Sequence, residues 1–263
     1  MSPLRIALLT LPSVMSDAAS LAFARELGGR LVLLGLSDPM RPGAGGAVGQ
    51  LRRHLARSGP RVLPYLALGF GLPRRSAFRR VAGARAVTIH DVNGATFRDA
   101  LAEARPDLIV TLHFDQILAP ETLAIPRLGG VNLHPSLLPR HRGPVPAFWA
   151  LAEGGAEAGV SLHRLAARID AGEILSQRRV ALPAGVSALD ASRRLHLAGL
   201  PLLRDLLARL EAGYAIAGTH PAILPYRGFP DAAALNAAAR RGVRLVAPAD
   251  LRLLIPGRAT RPD

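Results

Sequence analysis

Two hydrogen-bonding side chains stand two residues apart in the stretch GGVNLHPSLLP, near the middle of the chain. Asn132 and His134 alternate with Val131 and Leu133, and this alternation predicts a strand that carries both polar side chains on one face. An imidazole can accept or donate a proton near neutral pH, and a carboxamide N–H can stabilise a developing oxyanion. The pair therefore indicates acid–base chemistry at the carboxyl end of a strand.

Such a histidine usually needs a carboxylate that fixes its tautomer, and Asp170 in RIDAGEIL is the best candidate. Asp170 lies in the predicted loop Ala166–Gly172, between the strand-like runs Gly159–Leu165 and Glu173–Leu182. On these residues alone, a structural asparagine and a structural histidine would explain the pattern equally well.

The amino-terminal half predicts the sheet that positions these residues. Apolar runs alternate with helical segments, which is typical of a parallel sheet covered by helices on both faces. Ligands of such sheets bind beyond the carboxyl ends of the strands, where His134 stands. We therefore predict an α/β fold with a doubly wound, mostly parallel sheet. The predicted strands are Leu4–Thr10, Arg30–Leu36, Ala86–Ile89, Leu108–Leu112 and Gly130–His134.

The composition limits the class of protein. The 263 residues are 49% hydrophobic, which suits one compact domain with an appendage. The chain has no cysteine, which excludes disulfides and cysteine-based metal sites, and no metal site is predicted. Without a convincing signal peptide or an apolar run of about 20 residues, we expect a cytoplasmic protein. The net charge of +14 comes from arginine alone, and either a compositional bias or an anionic partner explains it.

An insert spans about residues 38–83 and carries much of this charge. It joins a basic helix, an apolar run from Val62 to Leu72 and a closing group of arginines. One interpretation is a helical insertion packed on the sheet edge. A second is contact of residues 48–82 with an anionic membrane, at the inner membrane face. Nucleic-acid binding is a third, against which the scarcity of aromatic residues argues.

The carboxyl-terminal part predicts helices. Residues 187–211 form a long amphipathic pattern with Ser187 as its cap and Gly213 as its stop, and a short helix follows after residue 230. We therefore predict a catalytic domain over residues 1–186 and a helical extension over residues 187–263 that packs on it.

The stretch VNLHPSLLPRHRGPVPAFWAL, followed by GVSLHRLAARIDAGEIL, closely resembles the folate-dependent formyltransferase family. The family pattern Asn-x-His-x-Ser-Leu-Leu-Pro is matched from Asn132 to Pro139, its Gly-Val-Ser by residues 159–161, and its Asp-x-Gly by Asp170 and Gly172. The resemblance is good over about residues 91–182 and fair over residues 4–36. It implies a Rossmann-like formyltransferase fold.

The resemblance also implies a reaction. A formyl group would pass from 10-formyltetrahydrofolate to a primary amine, without a metal. Asn132, His134 and Asp170 would be the catalytic residues. Asn132 and a protonated His134 would stabilise the oxyanion, while Asp170 would hold His134 and help to pass a proton from the amine to N10 of the folate.

The same resemblance implies the residues around this centre. Arg140 and Arg142 are either solvated or in contact with an anionic acceptor, and His141 and His163 are predicted to be structural or surface residues. The residues implied to contact the folate pterin are Phe114, Gln116, Ile117, Leu118, Ala167 and Arg168. Those implied to support the centre are Ser136, Arg140 and Arg142.

The acceptor follows from where the chain departs from its relatives. The segment after Leu182 reads as helix rather than as the β-barrel of the methionyl-tRNA enzymes, and glycinamide ribonucleotide formyltransferases lack an insert like residues 38–83. We expect an amino sugar, free or on an anionic carrier. A tRNA formyltransferase-like enzyme without the barrel stays an alternative, because the loop Ser37–Gly46 is similar to an arginine-bearing loop of those enzymes. A 10-formyltetrahydrofolate hydrolase and a non-catalytic folate-binding or membrane-associating module are further alternatives. The sequence leaves the oligomeric state undecided.

Overall fold

The computed structural model describes residues 3–40, 45–71, 75–155 and 158–254. Its strands are β1 (Ile6–Thr10), β2 (Leu31–Ser37), β3 (Ala86–Ile89), β4 (Leu108–Leu112), β5 (Gly130–His134), β6 (Gly159–Arg164) and β7 (Ile174–Arg179). They form one sheet in the order β3-β2-β1-β4-β5-β6-β7. Strands β1 to β5 run parallel, β6 is antiparallel to β5, and β7 is antiparallel to β6. The predicted fold class is therefore confirmed.

Helices cover both faces of this sheet. One apolar core lies between one face of the sheet and the helices within residues 17–27, 75–82 and 188–211. A second core lies between the opposite face and the helix within residues 95–104. The α-helices within the described residues are α1 (Asp17–Leu27), α2 (Gly46–Ser58), α3 (Leu63–Phe70), α4 (Arg75–Ala82), α5 (Ala95–Ala104), α6 (Pro120–Leu123), α7 (Pro146–Ala152), α8 (Ala188–Glu211) and α9 (Ala232–Arg240). None of these described helices is long and apolar enough to cross a bilayer.

The strand order places a crevice beside β5. The chain builds outward from β1 to β2 and β3 in one direction and from β4 to β5 in the other. At such a reversal the connections diverge and leave an opening at the carboxyl ends of the strands. The carboxyl end of β5 lies next to this opening, because β5 pairs with β4.

The insert ends earlier than the sequence indicated. Helix α4 packs against β2, β3 and α1, and its Phe78 is fully buried in the core of the sheet. It is thus the crossover helix that joins two parallel strands, as parallel pairing requires. The additional segment lies between Ser37 and Arg75, and its residues 41–44 and 72–74 lie outside the described residues.

Part of the apolar run in the insert packs inward, while Leu63 is 38% exposed. Val62 and Tyr65 are buried in a third core, together with Met15 after β1, Phe148 of α7 and Leu235 of α9. This core lies over the crevice rather than at an outer sheet edge. Because burial against protein already accounts for these side chains, only the exposed part of residues 48–82 could contact a membrane, and that contact stays a prediction.

The long carboxyl-terminal helix has the expected cap and position. The Ser187 hydroxyl accepts a hydrogen bond from the Asp190 N–H at 3.0 Å, the usual role of a serine before a helix. Helix α8 packs on β5, β6 and β7, and α9 packs against α2. The division at residue 186 stays a prediction, and residues 255–263 lie outside the described residues.

Candidate active site

Asn132 is held in one orientation by two neighbours on adjacent strands. Thr111 pairs with it in the β4–β5 register and donates a hydrogen bond to its Oδ1 at 2.8 Å. His163 pairs with it in the β5–β6 register, and the Asn132 Nδ2 donates to His163 Nε2 at 3.1 Å. The His163 Nδ1 donates to the Arg164 carbonyl at 2.9 Å, so Nε2 is free to accept. One amide hydrogen of Asn132 is left for a ligand in the cleft.

His134 is buried at the end of β5, with both ring nitrogens facing oxygen atoms. Its Nε2 donates to the His141 carbonyl at 3.1 Å, and its Nδ1 lies 3.6 Å from Asp170 Oδ1. Burial lowers the pKa of His134, and Asp170 opposes this shift with its negative charge. The imidazole is therefore neutral at neutral pH, and a proton taken up there would meet a carboxylate.

Asp170 stays ionised although it is largely buried. Its Oδ1 lies 3.6 Å from the nearer nitrogens of His134 and His163, and its Oδ2 accepts the Gly143 N–H at 2.9 Å. Burial alone would raise the pKa of Asp170, but His134, His163 and the Gly143 N–H together lower it to about 2. The two 3.6 Å separations are too long for direct hydrogen bonds, so this carboxylate acts on the rings through its charge.

Arg142 fixes the loop that carries Asp170. Its Nε donates to the carbonyls of Ile169 and Asp170 at 3.0 and 3.1 Å, and its Nη1 donates to the Leu224 carbonyl at 2.8 Å. Only 3% of Arg142 is exposed. The expectation of a rim residue that is solvated or contacts an anionic acceptor is not met, because backbone carbonyls occupy its donors.

Gly172 is required two residues after Asp170. A Cβ atom there would come within 1.9 Å of the Arg164 carbonyl oxygen. The backbone of the loop therefore passes directly against β6, which brings Asp170 back over the end of β5. This close approach gives a physical reason for the Asp-x-Gly spacing.

Ser136 and Arg140 stabilise the loop after β5 without entering the cleft. The Ser136 Oγ donates to the Arg140 carbonyl at 2.9 Å, and the Ser161 Oγ donates to the Ser136 carbonyl at 2.6 Å. Arg140 is exposed and donates to Glu153 Oε2 at 3.1 Å. Ser136 thus holds the backbone of this loop, and the Arg140 side chain joins the loop to Glu153.

His141 is closer to the chemistry than its predicted structural role suggested. It has a left-handed backbone (φ 55°), and its Nε2 bonds Glu153 Oε2 at 2.9 Å. This anchor keeps the His141 carbonyl directed at His134 Nε2 and thereby sets the tautomer of the His134 ring.

A cleft of about 240 Å³ opens over these residues. Asn132, His134 and Asp170 line it together, as the sequence predicted. Ala167 and Arg168 do not line it, but their neighbours Ala166 and Ile169 do. Four of the residues expected to contact the pterin also line it, namely Phe114, Gln116, Ile117 and Leu118.

The Gln116 side chain is already engaged by protein atoms. Its Oε1 accepts the Val92 N–H and its Nε2 donates to the Ser37 Oγ, both at 2.9 Å. A ligand beside this segment would therefore meet backbone groups rather than the carboxamide. Within the described residues, no three histidine, aspartate or glutamate side chains are grouped to hold a metal ion.

The deep end of the cleft contains residues that the sequence did not indicate. Met15, Tyr65, His113 and His196 line it. Burial lowers the pKa of His113, and lowers that of His196 to about 3. Both rings are therefore neutral, and the floor of the cleft is polar but uncharged at these positions.

Comparison with known proteins agrees with this geometry. A family model described as formyl transferase matches residues 76–207, about half of the chain. A sugar N-formyltransferase from a Shewanella species is 19% identical, with 86% of this chain and 77% of that chain covered and a TM-score of 0.54. Glycinamide ribonucleotide transformylase 1 from Symbiobacterium toebii is 22% identical, with 83% and 92% covered and a TM-score of 0.55. A 4-N formyltransferase from Francisella tularensis is 13% identical, with 86% and 76% covered and a TM-score of 0.56.

Proposed function

Because the chain belongs to the formyl transferase family, we propose that it moves a formyl group from 10-formyltetrahydrofolate to the primary amine of an amino sugar. The observation that carries this proposal is the convergence of Asn132, His134 and Asp170 in one cleft. The described residues hold the groups that formyl transfer needs, which are an oxyanion donor, a neutral base and a fixed negative charge.

Asn132 is placed to stabilise the oxygen of the formyl group as the amine attacks the formyl carbon. Its Oδ1 is fixed by Thr111 and one Nδ2 hydrogen by His163, so the other hydrogen needs little reorganisation to donate. Donors that are oriented before the reaction contribute most to oxyanion stabilisation.

His134 is placed to move the proton. The neutral ring takes the proton that the attacking amine must lose and returns it to N10 of the folate as the carbon–nitrogen bond to N10 breaks. One C–N bond forms, one breaks, and the proton ends on the leaving nitrogen. The protonated His134 that the sequence analysis expected opposite the oxyanion would thus form during the reaction, because burial lowers the pKa of the ring in the free protein.

Asp170 stabilises that transient charge. Its ionised carboxylate lies 3.6 Å from His134 Nδ1, so the imidazolium would form opposite a negative charge in a buried site. We place the pterin between the Phe114–Leu118 segment and the loop from Ala166 to Ile169, because both segments line the cleft.

The test is a tetrahydrofolate-release assay with 10-formyltetrahydrofolate and a panel of amino sugars, free and phosphorylated. Amine-dependent release of tetrahydrofolate supports the proposal. Formate release without any amine would instead identify a hydrolase, and turnover only with aminoacylated tRNA would identify a tRNA enzyme. Failure to bind a folate analogue in isothermal titration would refute the proposal as a whole.

Contact of residues 48–82 with an anionic membrane is a separate proposal. The exposed positions that would supply it include Arg52 and Leu63, which is 38% exposed. Flotation with vesicles that contain anionic lipid tests it, and equal recovery with neutral vesicles at low salt would refute it.

A further inference from the structure

A segment of the carboxyl-terminal extension lies across the mouth of the cleft, and we refer to residues 221–230 as the tail segment. Hydrogen bonds along its length fix it to the body of the protein, beginning with the one from Arg142 to the Leu224 carbonyl. The Arg227 N–H donates to the Arg142 carbonyl at 2.8 Å, the Trp149 indole N–H donates to the Gly228 carbonyl at 3.1 Å, and the Ser58 Oγ donates to the Pro230 carbonyl at 2.6 Å. The tail segment is thus a fixed wall of the cleft.

Tyr226 projects from this wall beside the catalytic loop. It lines the cleft, although 51% of the residue is exposed. Its ring packs on Gly143, where a Cβ atom would come within 3.0 Å of the Tyr226 Cε2. Gly143 in turn donates its N–H to Asp170. An accessible aromatic ring therefore stands one residue away from the catalytic carboxylate.

Arg57 of α2 reaches the other side of this ring. The Arg57 Nη1 and the Tyr226 Cε1 lie 3.2 and 3.7 Å from the position that a Cβ atom would take on Gly228. The charge of Arg57 also affects the Tyr226 phenol. Burial and Asp170 raise the pKa of Tyr226, whereas Arg57 and Arg142 lower it. Among the described residues, no carboxylate forms an ion pair with the exposed Arg57 guanidinium.

The surroundings of Arg57 are positive. Arg53 stands one helical turn before Arg57, and after burial these two charges are the causes that lower the pKa of His54. His54 packs edge-on against Phe229 of the tail segment, with ring centroids 4.7 Å apart. His54 and Arg57 of α2 therefore both lie beside the tail segment.

The amino terminus of α1 is not a comparable site for an anion. A helix amino terminus generally attracts anions, but Asp17 stands at this one, only 1% exposed, and its Oδ1 accepts the Ser13 N–H at 2.8 Å. The Asp17 side chain of the protein already occupies that position. An anionic group of a ligand is better placed at the mouth, near Arg57.

We propose that Arg57 and Tyr226 form an acceptor subsite and that the acceptor carries a phosphate ester. Arg57 binds the phosphate, and the Tyr226 ring supports the sugar that separates the phosphate from the reacting amine. This inference rests on the proposed function, because it names the substrate class of the same cleft. It uses residues of the insert and of the tail segment, both outside the family match.

Isothermal titration with phosphate-bearing probes tests the subsite directly. The probes are glucosamine 1-phosphate and uridine diphosphate. Glucosamine is the control without a phosphate. They are titrated into the wild-type protein, Arg57→Gln and Arg52→Gln, which removes an equal charge from an exposed position of the same helix. We expect Arg57→Gln to weaken both phosphate-bearing probes about tenfold or more, as for a lost charge-assisted contact, and Arg52→Gln to change them by about twofold or less. Preference between the two probes tells a sugar phosphate from a nucleotide-linked sugar.

Two further variants test the ring. Tyr226→Phe keeps the aromatic face and should retain probe affinity, whereas Tyr226→Ala should weaken both probes. Equal affinities in the Arg57→Gln and Arg52→Gln proteins would overturn the inference, and so would the absence of phosphate binding in a wild-type protein that binds 5-formyltetrahydrofolate. If no folate binds, the proposed function fails, and the phosphate titrations still decide the subsite on their own.

Discussion

Asn132→Ala is the substitution that tests the proposed chemistry most directly. It removes an oxyanion donor that Thr111 and His163 hold in place. The loss of one such donor costs about 3–4 kcal/mol of transition-state stabilisation, so we expect kcat to fall roughly 10²- to 10³-fold. Folate affinity should change little, because the segments that we assign to the pterin are separate from this side chain.

Thr111→Val provides the matched measurement. It preserves the side-chain shape but removes the hydroxyl that donates to Asn132 Oδ1 at 2.8 Å. The donor Nδ2 remains, and only its orientation is less fixed. A neutral hydrogen bond contributes about 0.5–1.5 kcal/mol, which corresponds to a decrease in kcat of roughly 2- to 10-fold.

Single-turnover rates of formyl transfer measure both effects on the chemical step. The graded result, a small loss for Thr111→Val and a large loss for Asn132→Ala, follows only if Asn132 donates to the reacting oxygen. A rate for Asn132→Ala within about threefold of the wild type would refute that role, since even one weak hydrogen bond is worth as much. Circular dichroism of both variants separates unfolding from loss of chemistry.

Three other predictions follow from the buried charges. Asp170→Asn should reduce kcat roughly 10²-fold or more, since it removes the charge that stabilises protonated His134. The acid limb of the pH–kcat profile should also move to lower pH, because the Asp170 charge raises the pKa of His134. An acid limb at the wild-type position would contradict this prediction. Arg142→Gln should lower the free energy of unfolding by about 3 kcal/mol, whereas Arg140→Gln, at an exposed position, should lower it by about 1 kcal/mol or less. Similar urea midpoints for the two variants would contradict the role of Arg142 in holding the loop of Asp170. His196 has a pKa of about 3 when folded, below its unfolded value of 6.5, so the contribution of the neutral ring to folding stability is intact above pH 6.5 and is lost as the pH falls toward 3. Urea titrations at pH 5 and 7 should show that His196→Gln removes about 1.4 kcal/mol per pH unit from the pH dependence of the unfolding free energy. The same pH dependence in the variant and the wild type would contradict a buried neutral ring.

A local sequence pattern could predict which residues come together in the candidate active site. Asn132 and His134 share a face because side chains alternate along any strand, and the position of Asp170 in a loop between two predicted strands made it the best carboxylate candidate, which the resemblance to known formyltransferases then supported. Thr111 and His163 also contact Asn132, yet neither contact was predicted. Their positions depend on the register of β4 and β6 against β5, which no single strand encodes.

Arg142 was misjudged for a related reason. An arginine between prolines in a polar loop is usually exposed, and here its donors satisfy carbonyls of two distant segments. The same holds for α4, whose arginines indicated an insert, while its buried Phe78 makes it part of the sheet core. In each case the burial of one residue depends on contacts that form only when remote segments meet.

Arg142 also connects a part of the chain outside the family match to the candidate active site. Its Nε holds the loop of Asp170, its Nη1 holds Leu224 of the tail segment, and its carbonyl accepts the Arg227 N–H. The carboxylate that acts on His134 and the wall that carries Tyr226 are therefore fixed by the same residue. A displacement of the tail segment would reach Asp170 through the Arg142 guanidinium, so we expect the proposed acceptor binding at Tyr226 to affect the proposed proton transfer at His134.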